Sequence, residues 1–553
     1  MRAICVTLVV MARAALLVIV ALGACAEPPR LPDVCAGEAG PGAPTVITNA
    51  AGRIDVTAAD MVIDVSAPDD PDGDLLDTTE YEVWTVNADG APRERVWAYA
   101  VTSPHPPPIV LGLGAYEGPA AVLGQLEPWR DHLVRARQTT RSFDGCAVTG
   151  PWSAGVAFRT DDGSAVVFDD LVVRDVAITL PPASYAAIDA QAEPPGCVPY
   201  ERDYYGGDVT YLGVTYAGVG VKVKGGCGSA RRLDEKAGLK VAFDWDDPAV
   251  AGCPSDRRIG GLAGLTLNNM VQDKSLTHER LAYPLFRRMG VPAPRVTPVR
   301  VLVNGALFGH YLHVETVDRR FLARHFGSNQ GMLYEGTYWC QLEAGNIRDD
   351  DSGCLTREFH PDACDGTPAP DADPQDYAPL RSLIARLDAL PVGGFYPAVT
   401  QILDFDRYLS MWAVEALLSH WDGYSYRIVN NYRIYHDPAD DRWTILPSGL
   451  DQTFEAGSVD EWSPTGRIAT RCMAEAPCRA AFAARLREAL DVFEAMQLEA
   501  ARQRIVAQLT PMLAAAPGRE FDASAFADKN AETASYIANR PGEIRAGLAA
   551  HGF

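Results

Sequence analysis

Between Asp404 and Phe454 a helical hydrophobic period gives way to a strand-like one, so this stretch reads as a helix followed by a hairpin. Leu409, Trp412, Ala413, Ala416 and Leu417 recur at helical spacing, and Asp404 or Asp406 can cap the first turn. The stripe stops at the polar turn His420-Trp421-Asp422-Gly423. Two short strands then flank the turn His436–Asp441, and the second ends just before Leu450-Asp451-Gln452-Thr453-Phe454. The segment thus places an Asp after a helix (Asp422), an Asn at the start of a hairpin (Asn431, with Asn430 beside it) and a second Asp beyond it (Asp451).

Phosphoryl-transfer sites of the protein-kinase kind use that order: one Asp orients the nucleophilic hydroxyl, while an Asn and a second Asp hold Mg²⁺. Asp and Asn are also ordinary turn residues, so the pattern alone reads equally as loop caps. Asp422, Asn431-Tyr432, Tyr435, Pro447, Asp451 and Phe454 together, however, resemble the signature region of the spore coat protein H (CotH) kinase family. Ser448-Gly449 stands where that family's last motif has Trp-Asp. An earlier block, Lys224-Gly225, Gly228-Ser229 and Lys236 before Leu239–Phe243, is similar to the family's early motif, and Gly290–Arg295 and Gly309–Leu322 are similar to its central region. The resemblance covers roughly residues 166–553 in ordered blocks.

The resemblance implies an α+β atypical protein-kinase-like domain, with a β-rich part over 166–340 and a helical part over 380–553, binding ATP and Mg²⁺ between them. Asp422 is then the residue that orients or deprotonates a hydroxyl, and Asn431 and Asp451 are the metal ligands. Lys236 is the expected phosphate ligand, with Lys224 and Ser229 beside the glycine-rich turn. Arg231, Arg232 and Lys240 are further cationic candidates, and Glu279 or Glu315 the acidic partner of Lys236.

Other stretches can be read without the resemblance. The apolar run ending in Leu22-Gly23-Ala24-Cys25 reads as a secretory signal over residues 1–24 with a lipobox, so Cys25 is the expected lipidation site and 25–43 a Pro- and Gly-rich tether. Ten further Cys suit an exported, disulfide-bonded chain; Cys472–Cys478 are neighbours, and Cys35 and Cys146 flank one domain. Strand-like alternation over 44–162, ending in Pro151-Trp152-Ser153, resembles a fibronectin type III β-sandwich. Asp69, Asp70, Asp72, Asp74 and Asp77 crowd one loop there without the spacing of a calcium hand, and read as a solvated loop.

In the second domain, Asn304-Gly305 between apolar strands predicts a type I′ hairpin. Leu281, Leu285, Phe286 and Met289 predict an amphipathic helix capped by Asp273 or Ser275, kinked or stopped early by Pro284. Residues 340–376 read as an acidic, Cys-containing loop insertion, and the tail as helices broken at Pro511, Pro517-Gly518 and Pro541-Gly542.

A net charge of −23 argues against nucleic acid and against an anionic membrane surface as partners. With the leader's export and lipid-anchor signals, the resemblance implies an exported, lipid-anchored kinase of the bacterial cell envelope, transferring the ATP γ-phosphoryl group to Ser or Thr of a protein substrate. The alternative is a kinase-shaped surface binding or scaffolding protein without activity. A polymer hydrolase finds no Gly-x-Ser-x-Gly or His-Glu-x-x-His motif to support it.

Overall fold

The computed structural model describes residues 35–553 except 36, 52–55, 57–60, 88–89, 104–107, 124, 127, 129, 162, 193–195, 197–199, 201, 244, 246–257, 259, 327–328, 330, 349–351, 359–376 and 392. The expected signal segment and Cys25 lie outside the described residues. No helix among the described residues is long and apolar enough to cross a membrane. The chain divides into two units, one mainly of residues 58–126 and 131–158 and one mainly of 159–553.

The smaller unit contains a three-stranded and a six-stranded sheet. At the centre of the larger sheet, Leu75–Val86 pairs with Pro92–Thr102 and with Asp131–Arg141. Alternation along the last pair sets buried Tyr81 and Val83 opposite Ala136 and Val134, and Glu80 and Glu82 opposite Arg137 and Arg135 on the other face. Trp152 lies against the Arg135 and Arg137 guanidinium groups, at 4.7 and 4.5 Å. Cys35 and Cys146 form a disulfide. The end of the expected tether is pinned to this unit: Ala39 N–H donates to Asp72 at 2.7 Å and Gly42 N–H to the Asp69 carbonyl at 2.8 Å.

The core of the larger unit starts with a closed barrel. Its strands include Tyr205–Tyr211, Val214–Lys224, Gly238–Ala242, Gly264–Asn268, Val296–Val303 and Ala306–Val314. Val219, Val221, Val223, Leu239, Val241, Leu265 and Leu267 fill the interior. The alternate positions Lys222, Lys224, Lys240, Thr266 and Asn268 therefore face outward, and Lys222 pairs in register with Lys240, and Lys240 with Thr266. The hairpin forms at Asn304-Gly305, with φ of +49° and +79°, the left-handed pair a type I′ turn requires.

Two sequence expectations are corrected by the packing. The helix His278–Arg288 runs through Pro284 rather than stopping there, and Pro511 and Pro541 also sit inside helices, Leu498–Ala515 and Ala523–Ala550. Each proline removes one backbone hydrogen bond. Buried side chains on either side (Leu281 and Leu285; Leu509 and Leu513; Ile537 and Ile544) hold the helices together across the gap. Asp273 supplies the first cap, accepting the His278 N–H at 2.9 Å.

The parts 166–340 and 380–553 are also less separate than expected. A four-stranded sheet joins Leu355–Arg357, Leu333–Gly336, Tyr432–Asp437 and Arg442–Pro447 in that order. The expected loop insertion thus contains a strand, and it is closed by a Cys340–Cys354 disulfide. The helix Phe405–Leu417, capped by Asp404, buries Trp412, Ala413, Ala416 and Leu417 completely. Cys472–Cys478 also forms.

Candidate functional site

The outer face of the barrel and one face of the four-stranded sheet enclose a cavity of about 690 Å³, within the size range of small-molecule sites. Lys222, Lys224, Lys240 and Asn268 line one wall; Glu335, Glu358 and Arg433 line the other. Asp422, Asn430, Asn431 and Asp451 also face it, with Glu279 of the His278–Arg288 helix.

The turn carrying Asp422 is built from the end of the preceding helix. The buried Glu415 carboxylate accepts the N–H groups of Tyr424 and Ser425, at 3.0 and 3.1 Å. A Cβ on Gly423 would come within 2.4 Å of Glu415 Oε1, so the turn closes only with glycine there. Both asparagines then clamp Asp422: Asn430 Nδ2 donates to Oδ1 at 3.1 Å and Asn431 Nδ2 to Oδ2 at 2.8 Å. Burial, and after it the charge of Asp451, pushes the Asp422 carboxyl up to about 6 despite these bonds.

Asp451 lies in a single 3₁₀ turn, Leu450–Gln452, entered through Gly449 at a left-handed φ of +56°. Burial and the nearby Asp273 raise its carboxyl, while Lys224 pulls it down. His278 Nδ1 donates to the Asp451 carbonyl at 2.8 Å and fixes the turn. Glu279 is pushed up by burial and by Asp451. The Asn268 amide bridges this carboxyl to a lysine: Nδ2 donates to both Glu279 oxygens, at 3.0 and 3.2 Å, and Oδ1 accepts from Lys224 Nζ.

The lysine in this arrangement is Lys224. Lys236 does not line the cavity; its ammonium lies 5.2 Å from the Tyr311 ring, and burial pulls it down to about 7. Glu315 is not its partner either, being ion-paired with Arg295 and Arg324. Burial would raise the Glu315 carboxyl, but the two arginines outweigh it and hold it well below the usual range. Arg231 and Arg232 pair with Glu520 and Asp189. Ser229 reaches the cavity, where its Oγ accepts the Gly226 N–H at 3.2 Å.

Sequence reasoning missed five participants. Asn268 is an ordinary strand residue, detectable only through the alternation that puts it on the same outward face as Thr266, the register partner of Lys240. Glu335 and Glu358 converge on Arg433, at 2.9 Å each, from strands far apart in sequence. Tyr338 spans the cavity rim, accepting the Cys227 N–H on its hydroxyl at 2.9 Å and donating its own N–H to Asn430 Oδ1 at 2.9 Å.

The departure at Ser448-Gly449 has a structural consequence. A Cβ on Gly449 would lie 2.5 Å from Asn431 Cγ, so the Asn431 side chain occupies the space that a larger residue there would need. Among the described residues no three His, Cys, Asp or Glu side chains cluster tightly enough to hold a metal on their own. The donors that fit a hard divalent cation are the oxygens of Asp422 and Asp451 with the Asn431 amide; burial raises both carboxyls, with Asp451 adding to the shift of Asp422 and Asp273 to that of Asp451.

The larger unit, which carries this cavity, falls within one known family. The model of the CotH kinase protein family matches residues 221–544, and the chain belongs to that family. It is 26% identical over 199 residues to the inner spore coat protein H of Bacillus subtilis, covering 35% of this chain and 51% of that protein. It is 26% identical over 265 residues to the invasin CotH2 of Rhizopus delemar, covering 46% of this chain and 41% of the invasin. A second invasin of that fungus, CotH3, is 25% identical over 264 residues, covering 46% of this chain and 40% of its own length. The matched region thus spans about half the length, or less, of these relatives.

Proposed function

We propose that this chain is a phosphotransferase of the cell exterior that moves the γ-phosphoryl group of ATP to a Ser or Thr hydroxyl of a protein. The observation that supports it most is Asp422, clamped by two asparagine amides and facing the same cavity as the Lys224–Asn268–Glu279 bridge. The acceptor hydroxyl oxygen attacks the γ-phosphorus, the bond to the β,γ-bridging oxygen breaks, and ADP carries away the electron pair. The hydroxyl proton passes to Asp422, whose carboxyl, raised to about 6, is a better base than an ordinary carboxylate and still ionised at neutral pH.

Lys224 pairs with phosphate oxygens and is kept in place through Asn268. Mg²⁺ would supply charge neutralisation, held by Asp451, Asn431 and the phosphates. The glycine-rich turn contributes less than its composition suggests, because the Gly226 and Cys227 N–H groups are already bonded to Ser229 and Tyr338. The Cys25 lipid anchor and export belong to the same proposal, resting on the sequence of the leader.

A second reading, a surface binding protein without transfer activity, is favoured by Ser448-Gly449, which leaves the last motif without its first acid. The invasin names of two relatives point the same way. Incubation with γ-labelled ATP and Mg²⁺ separates the two. Label on Ser or Thr that disappears in Asp422→Asn supports transfer. Absence of label from the chain itself and from envelope proteins, with ATP bound, supports the second.

A further inference from the structure

We infer that Trp339 is the platform on which the acceptor polypeptide docks, reading an apolar side chain next to the hydroxyl presented to Asp422; this rests on the transfer reading above. Tyr338 and Trp339 both hold left-handed φ values, +50° and +59°, conformations that bulky side chains rarely adopt. Two such residues in succession persist only where the surroundings over-determine them.

Here they do. Tyr338 is tied to Cys227 and to Asn430. The Cys340 N–H donates to the Val429 carbonyl at 2.9 Å, and Cys340 is disulfide-bonded to Cys354. A Cβ on Gly226 would stand 1.8 Å from the Tyr338 hydroxyl, so the glycine turn is shaped around that ring.

All of this fixes Tyr338 into the fold, yet it leaves Trp339 62% exposed at the cavity rim. Among the described residues of the larger unit the large apolar side chains left in solvent are Val166, Leu171, Val172, Tyr200, Val214 and Trp339. The two aromatic ones both line this cavity. The Arg202 guanidinium already covers the Tyr200 ring at 5.0 Å, which leaves Trp339 as the open aromatic face at this rim.

Position ties the platform to the chemistry. The Tyr338 N–H donates to Asn430, and Asn430 donates to Asp422, so Trp339 is one residue from a two-bond path to the proposed base. Trp339 and Asp422 line the same cavity, so a polypeptide presenting a hydroxyl to Asp422 has this rim within reach. A Trp carried on a backbone held at Tyr338 and Cys340 favours a Pro, aliphatic or aromatic residue there, because only its two side-chain torsions need ordering when apolar area is buried.

The test uses the full chain with ATP, Mg²⁺ and a Ser/Thr-centred positional-scanning peptide library. The wild type is expected to select an apolar residue beside the hydroxyl. Trp339→Ala is expected to lose that selection and raise the peptide KM about tenfold with the KM for ATP unchanged, and Trp339→Phe to restore most of it. If Trp339→Ala lowers the thermal midpoint, Trp339→Gln replaces it with the same expectation. Selection and KM that survive in the folded variant overturn the inference, as does labelling confined to glycans. A wild type whose thermal midpoint rises with ATP and Mg²⁺ but labels no peptide overturns the platform and leaves the nucleotide site standing. No rise at all overturns the reading beneath it.

Discussion

Asn431 rests over the bare α-carbon of Gly449: a Cβ at that glycine would fall 2.5 Å from Asn431 Cγ, and the glycine itself is left-handed at φ +56°. The residue that breaks the family's last motif is therefore also what lets Asn431 lie where it donates to Asp422. Gly449→Ala should cost about 1–3 kcal/mol through strain at this φ and should also release the Asn431 amide. Denaturant unfolding measures the first effect. Loss of transfer beyond what the stability change explains measures the second.

Asp422 predicts a pH dependence of opposite sign to that of a salt-bridged carboxylate. Its folded carboxyl is raised to about 6 from 3.8, so between those values the native state holds more protons than the unfolded chain. Stability from this group is present below the unfolded value and is lost as pH rises through about 6. Asp422→Asn loses one of the two amide bonds at every pH, so the titration shows in the difference: the stability of the wild type relative to the variant should fall by up to about 3 kcal/mol between pH 4 and pH 7. Transfer by the wild type should rise with pH through the same window. A stability difference that stays constant from pH 4 to pH 7 would remove the premise.

Lys224 and Lys236 separate cleanly. Lys224→Met removes the ammonium facing Glu279 through Asn268 and should weaken ATP binding by about tenfold or more. Lys236→Met replaces an ammonium that burial already disfavours, off the cavity, and should leave ATP binding unchanged. Calorimetric titration of both variants decides it; equal losses would contradict the placement.

The Cys340–Cys354 bond closes a segment with a sequence separation of 14. By loop entropy it should contribute about 3 kcal/mol. Paired replacement of both cysteines by Ser should lower the unfolding midpoint in denaturant accordingly. The change should be larger than for replacing Cys472 and Cys478, whose separation is 6.

How far the sequence led depended on whether a signal was local. Asn304-Gly305 declares its hairpin because the turn needs two left-handed residues in a row. Asp422, Asn431 and Asp451 do meet in one cavity, their spacing being set by a helix end and a hairpin that periodicity reveals. The choice of lysine was harder. Lys224 and Lys236 both adjoin the glycine-rich turn, and only strand alternation against Val221 and Val223 points Lys224 outward to the cavity. Glu335, Glu358 and Arg433 were beyond reach, because they meet only when a strand from the expected loop insertion joins the four-stranded sheet. Pro511 and Pro541 misled in the other direction, as did the early stop offered for Pro284: tertiary burial outweighed the lost hydrogen bonds.

The most direct test of the nucleotide site is the thermal midpoint of the oxidised chain with ATP and Mg²⁺, with ATP and a chelator, and without ligand, alongside Asp451→Asn. Binding to the folded state adds about 2.7 kcal/mol at a hundredfold excess over Kd. A Mg²⁺-dependent rise that disappears in Asp451→Asn is the predicted result. A wild type indifferent to millimolar ATP, or a rise that survives both the chelator and the substitution, would contradict the account.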